Sequence, residues 1–132
     1  MIVKHAHGPF EVKVTPLAND SSNDGLTLSR LSLDKQYHGD LDATAKGEML
    51  AAGTPVKGSA GYVAIERVSG TLGGRRGGFI LQHLGTMAHG SQQLAISVVP
   101  DSGTGELVGL TGTMKIIIAD GAHSYDLTYS VD

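Results

Sequence analysis

The sequence contains no cysteine and no tryptophan, and few of its residues are aromatic (5%) or charged (17%). Without cysteine the chain can form neither disulfides nor thiolate metal sites, which suits a reducing compartment. The charges are scattered and sum to a formal net charge of −3. Nucleic-acid-binding proteins typically show a basic stripe interleaved with aromatic residues, so the composition argues against a nucleic-acid partner.

Long apolar runs are also missing. No stretch of 18 consecutive apolar residues occurs, and the N-terminal sequence MIVKHAHGPFEV lacks the apolar core of a signal peptide. We therefore expect a cytoplasmic protein with no membrane partner. The length of 132 residues predicts a single domain over residues 1–132. A domain of that size can bury roughly two-thirds of the surface that its unfolded chain exposes.

Glycine, in contrast, is abundant, with 19 residues that separate short segments of alternating apolar and polar side chains. Two such regions are SGTLGGRRGGFILQHLGTM (69–87) and SGTGELVGLTGTM (102–114). The pattern is typical of antiparallel strands joined by tight hairpins, and no segment keeps a helical period over ten positions. About eight strands predict an all-β fold, a single antiparallel β-barrel, because closure removes the exposed edges of long strands.

One hairpin has a register that can be predicted from its turn. Asp120-Gly121 is a strong two-residue turn signal, and it pairs Met114 with Leu127. The face that results is apolar and should point into the barrel. It carries Met114, Ile116, Ile118, Tyr125, Leu127, Tyr129 and Val131.

A second hairpin is predicted to turn at Arg75-Arg76, which lie between two glycine pairs. This register pairs Leu72 with Phe79 and Glu66 with Gly85, and it places Glu66 and His83 on one apolar face. A buried carboxylate needs a partner, and a nearby histidine would keep it ionised. The two residues are therefore candidate catalytic or ligand-orienting groups. The simpler alternative is a buried hydrogen-bonded pair that only fixes strand register.

Three further patterns yield weaker hypotheses. His5, His7 and Glu11 have the spacing H-x-H-x3-E, and alternate strand residues could approach one metal. The remainder of a cupin-type metal motif is missing, so no metal site is predicted. Asp40 and Asp42 alternate with apolar residues and are interpreted as a solvated outer face. Gly103-Thr-Gly105 precedes no helix and no Gly-Lys-Ser/Thr, so no nucleotide or other cofactor is predicted.

Several short motifs together resemble a known family. They are residues 37–41 (YHGDL), 61–67 (GYVAIER), 70–72 with 76–77, 78–83 (GFILQH), 85–87 (GTM) and 98–112. At these residues the sequence resembles DUF3224, a family of small, mostly bacterial proteins of unknown function. That family in turn resembles the allene oxide cyclase barrels, here through residues 39–41 and the glycine spacing between Ser102 and Gly112. The resemblance implies an eight-stranded antiparallel barrel, and for the cyclases a trimer, but none of their catalytic residues can be transferred to this chain.

Together these observations predict a barrel whose interior binds a small hydrophobic ligand beside Glu66 and His83. The predicted ligand-binding walls are Tyr62, Phe79, Met114, Tyr125 and Tyr129. One alternative is a cyclase- or isomerase-like enzyme that uses Glu66 and His83. Another is a structural homo-oligomer with a packed, ligand-free core. A homo-oligomer interface is expected at four outward apolar residues, Val63, Ile65, Ile80 and Leu84.

Overall fold

The computed structural model describes residues 2–131, and these form nine antiparallel β-strands. Within this range there is no helix, so the predicted all-β class is confirmed, and no helix is long and apolar enough to span a membrane. The strands are β1 (Lys4–Ser21), β2 (Thr27–Tyr37), β3 (Leu41–Gly53), β4 (Ala60–Leu72), β5 (Arg75–Ala88), β6 (Ser91–Val98), β7 (Thr104–Gly105), β8 (Thr111–Ala119) and β9 (Ala122–Ser130).

Eight of these strands form a closed barrel. Successive strands pair from β1 to β6, β6 pairs with β8, β8 pairs with β9, and β9 returns to β1. The extra strand, β7, is two residues long and pairs with Gly77 and Gly78 of β5. The predicted antiparallel barrel of eight strands is therefore confirmed, with one short strand added to it.

The hairpin at Asp120-Gly121 has the register that the sequence predicts. Met114 lies opposite Leu127, and Ile116 lies opposite Tyr125. Of the seven residues predicted to face inward here, Met114, Tyr125, Leu127 and Tyr129 are buried. Ile118 is 66% exposed because it lies at one end of the barrel, beside the turn.

The other predicted register is wrong by four residues. The turn is Gly73-Gly74, with φ of 55° and 85°, and Glu66 lies opposite Leu81 rather than Gly85. A two-residue hairpin turn of this type needs positive φ at both positions, which glycine adopts easily. Gly77 belongs to β5, where a Cβ atom would collide with the carbonyl oxygen of Thr104. Because an even shift preserves the strand faces, Glu66 and His83 still point inward.

The two ends of the barrel are built differently. One end is closed by the β2–β3 and β4–β5 turns and by the segment 99–110, whose Leu107 and Leu110 are each only 1% exposed. Leu107 and Leu110 belong to the main hydrophobic cluster, together with Leu41, Leu72, Phe79, Tyr125 and Tyr129. The other end, bounded by the turns that follow β1, β3, β5 and β8, is open. We call these two parts the closed half and the open half.

Candidate functional site

The open half contains a cavity of about 590 Å³. Its wall consists of inward-facing side chains from β1, β2, β3, β4, β5, β6, β8 and β9, because alternate residues of every strand point to the barrel axis. Most of the wall is apolar, including Phe10, Val12, Leu33, Met49, Met87 and Ile116. Ala51, whose side chain is only a methyl group, leaves further space in this wall.

A group of four polar residues lies at the floor of this cavity, and we call it the polar cluster. Its members are Lys35 and Tyr37 of β2, Glu66 of β4 and His83 of β5. Lys35 and His83 line the cavity, whereas Glu66 and Tyr37 lie behind them and are fully buried. A ligand in the cavity would therefore contact the lysine and the histidine rather than the carboxylate.

The carboxylate of Glu66 accepts three hydrogen bonds. Lys35 Nζ lies 2.7 Å from Oε2, and His83 Nε2 lies 2.8 Å from the same oxygen. The Tyr37 hydroxyl donates to Oε1. The Lys35 ammonium also lies 5.3 Å from the centroid of the Phe10 ring, a cation–π distance. Each polar group of the cluster is thus paired, as burial requires.

These contacts control the ionisation of Glu66. Burial alone would raise the pKa of its carboxyl group, but the hydrogen bond from His83 and the charge of Lys35 outweigh burial and lower that pKa to about 2. Burial, and then the negative charge of Glu66, raises the pKa of Tyr37 well above its usual range. At neutral pH the carboxylate is therefore ionised and the phenol remains a donor.

The ionised carboxylate determines the tautomer of His83. Because Glu66 can only accept hydrogen bonds, Nε2 of His83 carries the hydrogen between them. In a neutral imidazole this leaves Nδ1 with a lone pair, 3.5 Å from the hydroxyl oxygen of Tyr62. The Tyr62 ring lies over Gly85, where a Cβ atom would collide with it. A carboxylate-oriented imidazole can thus act as an acceptor or a base toward the cavity.

The strand between Lys35 and Glu66 explains how these residues meet. They lie on β2 and β4, on either side of β3, where Lys35 pairs with Ala45 and Glu66 pairs with Gly47. On β3, Ala45 carries only a methyl group and Gly47 has no side chain. The lysine can therefore extend across β3 to the carboxylate. Lys35 is the member of the polar cluster that contacts Glu66 and was not predicted from the sequence. A signal for it exists, because Leu33, Lys35 and Tyr37 alternate onto one face of β2.

The structure brings together the two predicted catalytic residues, since His83 contacts Glu66 directly. Of the predicted ligand-binding residues, only Tyr62 lines the cavity. The others, Phe79, Met114, Tyr125 and Tyr129, are packed into the hydrophobic core instead. Alternation correctly predicted that these side chains point inward, but it carries no information about which half of the barrel they occupy.

Hydrogen bonds of its hydroxyl group hold Tyr125 in the closed half. Its hydroxyl donates to the carbonyl oxygen of His38 at 2.6 Å and accepts from the amide of Leu41 at 2.9 Å. These bonds fix the phenol beside the β2–β3 turn, away from the cavity. We therefore assign Tyr125 a packing role.

The N-terminal histidines lie on the outside of the barrel. His7 is exposed, with Nε2 3.9 Å from Asp40 Oδ2, and Glu11 Oε1 lies 2.8 Å from His38 Nε2 rather than beside His5 or His7. In the described part of the chain, no group of three or more His, Cys, Asp or Glu residues is placed to hold a metal ion.

Comparisons with known proteins identify relatives but no activity. Residues 6–129 match the family model described as "Protein of unknown function (DUF3224)". A crystal structure of a DUF3224 protein of unknown function from Shewanella oneidensis MR-1 is 49% identical in sequence, with a TM-score of 0.94. The match covers 99% of this chain and 98% of that one. No curated protein sequence matched significantly.

Proposed function

The chain belongs to the DUF3224 family, and we propose that it binds a small, mainly apolar molecule in the open half of its barrel. The observation that supports this most directly is the cavity of about 590 Å³ with an apolar wall and a few polar groups at its floor. Small-molecule sites in proteins typically have volumes of roughly 300–1,000 Å³ and this mixture of surfaces.

Packing supports the proposal as well. Protein interiors rarely leave voids larger than a water molecule, and the closed half obeys this rule with its buried leucine and tyrosine side chains. The open half departs from it, because a cavity of about 590 Å³ lies among its inward side chains, one of which is only the methyl group of Ala51. A larger apolar residue at Ala51 would fill part of this space and bury more surface, so the space is best explained by an occupant.

The direct test is a titration with N-phenyl-1-naphthylamine, an apolar dye whose fluorescence rises on transfer out of water. We expect saturable binding to the wild-type protein. Ala51→Phe projects a ring into the cavity and should weaken binding at least tenfold, or about 1.4 kcal/mol. Ala119→Phe adds the same ring at an exposed position outside the cavity wall and should bind as the wild type does. No saturable binding, or equal binding by both variants, would contradict the proposal.

A second candidate function is proton transfer on the bound molecule, as in an isomerase- or cyclase-like barrel. It is favoured by one observation: His83 lines the cavity and is oriented by the ionised Glu66. With Nε2 hydrogen-bonded to the carboxylate, Nδ1 would serve as the general base.

This second function is testable with 2-acetylnaphthalene, an apolar methyl ketone, in D2O. We expect the protein to accelerate deuterium incorporation at the methyl group, and His83→Gln to abolish the acceleration. A wild-type rate equal to that of buffer alone, measured while the ketone is shown to bind, would remove the enzyme hypothesis and leave the binding function intact.

We also propose that the barrel self-associates through its outer face. Leu50, Val63 and Leu84 lie opposite one another on β3, β4 and β5, and each is between 47% and 58% exposed. Ile65 extends this apolar row. Ile80, in contrast, is half-buried, because Val99 and Ser102 of the segment that follows β6 form hydrogen bonds with its backbone. A second copy suits such a row, since a two-fold interface sets one patch against itself.

A further inference from the structure

We infer that the molecule bound in the open half carries a carboxyl head group, and that its binding places one proton on His83. The inference rests on the proposed ligand-binding function and identifies the chemical class of the ligand. It follows from the charges and the hydrogen-bonding groups of the polar cluster.

The charges of the polar cluster balance without a ligand. The Lys35 ammonium and the Glu66 carboxylate form an ion pair at 2.7 Å and cancel each other's charge, so the site is neutral when the His83 imidazole is neutral. A carboxylate that entered this apolar cavity would leave one uncompensated negative charge. Burying an unpaired charge is strongly unfavourable. Protonation of His83 restores neutrality, so the anion and a proton are expected to bind together.

A head group in the cavity would meet hydrogen-bond donors of Lys35 and His83. Lys35 has three N–H donors, and its acceptors in the cluster are the Glu66 carboxylate and the Tyr37 hydroxyl, the latter at 3.5 Å. The third N–H of Lys35 and the Nδ1–H of a protonated His83, which lies 3.5 Å from the Tyr62 hydroxyl, are thus donors on residues that line the cavity. A carboxylate offers two oxygens to match two such donors. An alcohol or amide lacks the charge that would make protonation of His83 favourable.

Charged and titratable groups surround the His83 imidazole on several strands. From β4 come Glu66 at 2.8 Å and Tyr62 at 3.5 Å, from β2 come Lys35 and Tyr37, and from β9 comes His123 on the cavity wall. On β6 the residue paired with His83 is the apolar Ile96. An imidazolium between the Glu66 carboxylate and a ligand carboxylate would have an anion on each side, which stabilises its charge.

The proton balance of binding is simple. The ligand enters as its carboxylate from neutral solution, and Nδ1 of His83 takes one proton from solvent. No covalent bond forms or breaks apart from this N–H bond. Binding is therefore linked to the uptake of one proton, and its apparent Kd should rise about tenfold per pH unit where free His83 is neutral.

The experiment compares 2-naphthoic acid with 2-naphthamide, which have the same ring system and differ only in the head group. Isothermal titration calorimetry between pH 7 and pH 9, in buffers of different ionisation enthalpy, measures the Kd and the protons taken up. We expect the acid to take up about one proton and to lose affinity about tenfold between pH 8 and pH 9. The amide should bind more weakly at pH 7, with no proton uptake and no pH dependence.

Two measurements assign the proton to His83. In His83→Gln the acid should bind without proton uptake, and uptake that persists would overturn the inference. In the wild type, NMR of ¹⁵N-labelled histidine should show the His83 imidazole becoming doubly protonated when the acid is added at pH 8. Because this NMR measurement uses the wild-type protein, it shows whether His83 takes up the proton even if the His83→Gln variant does not fold.

The outcomes also separate this inference from the function on which it rests. If N-phenyl-1-naphthylamine binds but the acid binds no better than the amide, the carboxyl class is wrong and the binding function stands. If neither naphthalene compound nor the dye binds, both proposals fail.

Discussion

The closed and open halves of this barrel follow the same strand alternation but fill their interiors differently. The closed half is packed with leucine and tyrosine side chains and sealed by Leu107 and Leu110. The open half contains a cavity of about 590 Å³. The polar cluster lies between them, with Glu66 buried and His83 on the cavity side.

This difference suggests how one small barrel can be both stable and hollow. Burial of large apolar side chains in the closed half supplies a large share of the hydrophobic stabilisation. The open half then contributes less to stability and is available to bind a molecule. If this division is right, substitutions in the two halves should have different consequences for stability.

The largest effect is expected from Glu66→Gln. This change leaves the Lys35 ammonium buried without its counter-ion, and breaking a buried ion pair in this way typically costs about 3–5 kcal/mol. Glu48→Gln is the matched control, because it breaks a half-exposed pair with Arg30 and should cost less than about 1 kcal/mol. The free energy of unfolding from urea titrations measures both. Equal effects of the two changes would show that the cluster is not a coupled buried unit.

The second prediction compares one leucine in each half. Leu107→Ala empties a buried site in the closed half and should destabilise the protein by roughly 3 kcal/mol. Leu94→Ala removes a 43% exposed side chain from the cavity wall and should cost less than about 1 kcal/mol. Urea titrations of the two variants measure their free energies of unfolding. A larger loss for Leu94→Ala would reverse the assignment of the two halves.

The third prediction concerns pH. The pKa of Glu66 is about 2 in the folded protein, below the value of 4.5 for a free glutamate. A lowered carboxyl pKa stabilises the fold above the unfolded-state value, and this stabilisation is lost as pH falls toward the folded-state value. We therefore expect stability to decrease between about pH 5 and pH 2, by up to about 3 kcal/mol from this group.

The control for the pH prediction is Glu66→Gln, which has no carboxyl group to titrate. Its unfolding free energy, measured by urea titration across the same pH range, should fall less steeply than that of the wild type. Parallel curves for the two proteins would mean that other carboxylates account for the acid sensitivity.

The smallest effect on stability is expected on the outer face. Leu84→Glu places a charge in the apolar row and should change the unfolding free energy by only about 0.5 kcal/mol, yet dissociate the proposed oligomer. Ile117→Glu makes the same change at a 49% exposed residue of β8, outside that row, and should preserve association. Sedimentation velocity at micromolar concentration measures both variants. A wild-type protein that sediments as a monomer would contradict self-association.

The fold was predictable because its determinants are local. The Asp120-Gly121 turn and strand alternation are enough for the register of the last hairpin. The Gly73-Gly74 turn was missed because four glycines flank the two arginines symmetrically, and β7, which requires the glycine at 77, is distant in sequence. The prediction that Glu66 and His83 share the inward face survived this error only because the shift is even.

The site was less predictable because it depends on position along the barrel axis. Alternation places Phe79 and Tyr125 inward but not in the closed half, where a loop between β6 and β8 seals the end. Lys35 reaches Glu66 across β3, and that contact depends on small residues of an intervening strand. The position of a side chain along the barrel axis, and contacts across an intervening strand, can be assigned only from the three-dimensional structure of the barrel.

The most direct test of the account is a methyl NMR spectrum of the wild-type protein titrated with N-phenyl-1-naphthylamine. The open-half methyl groups of Met49, Met87 and Ile116 should shift on binding, whereas those of the closed-half residues Leu107 and Leu110 should not. Shifts confined to the outer face, or shifts spread equally over both halves, would contradict a binding site in the open half of the barrel.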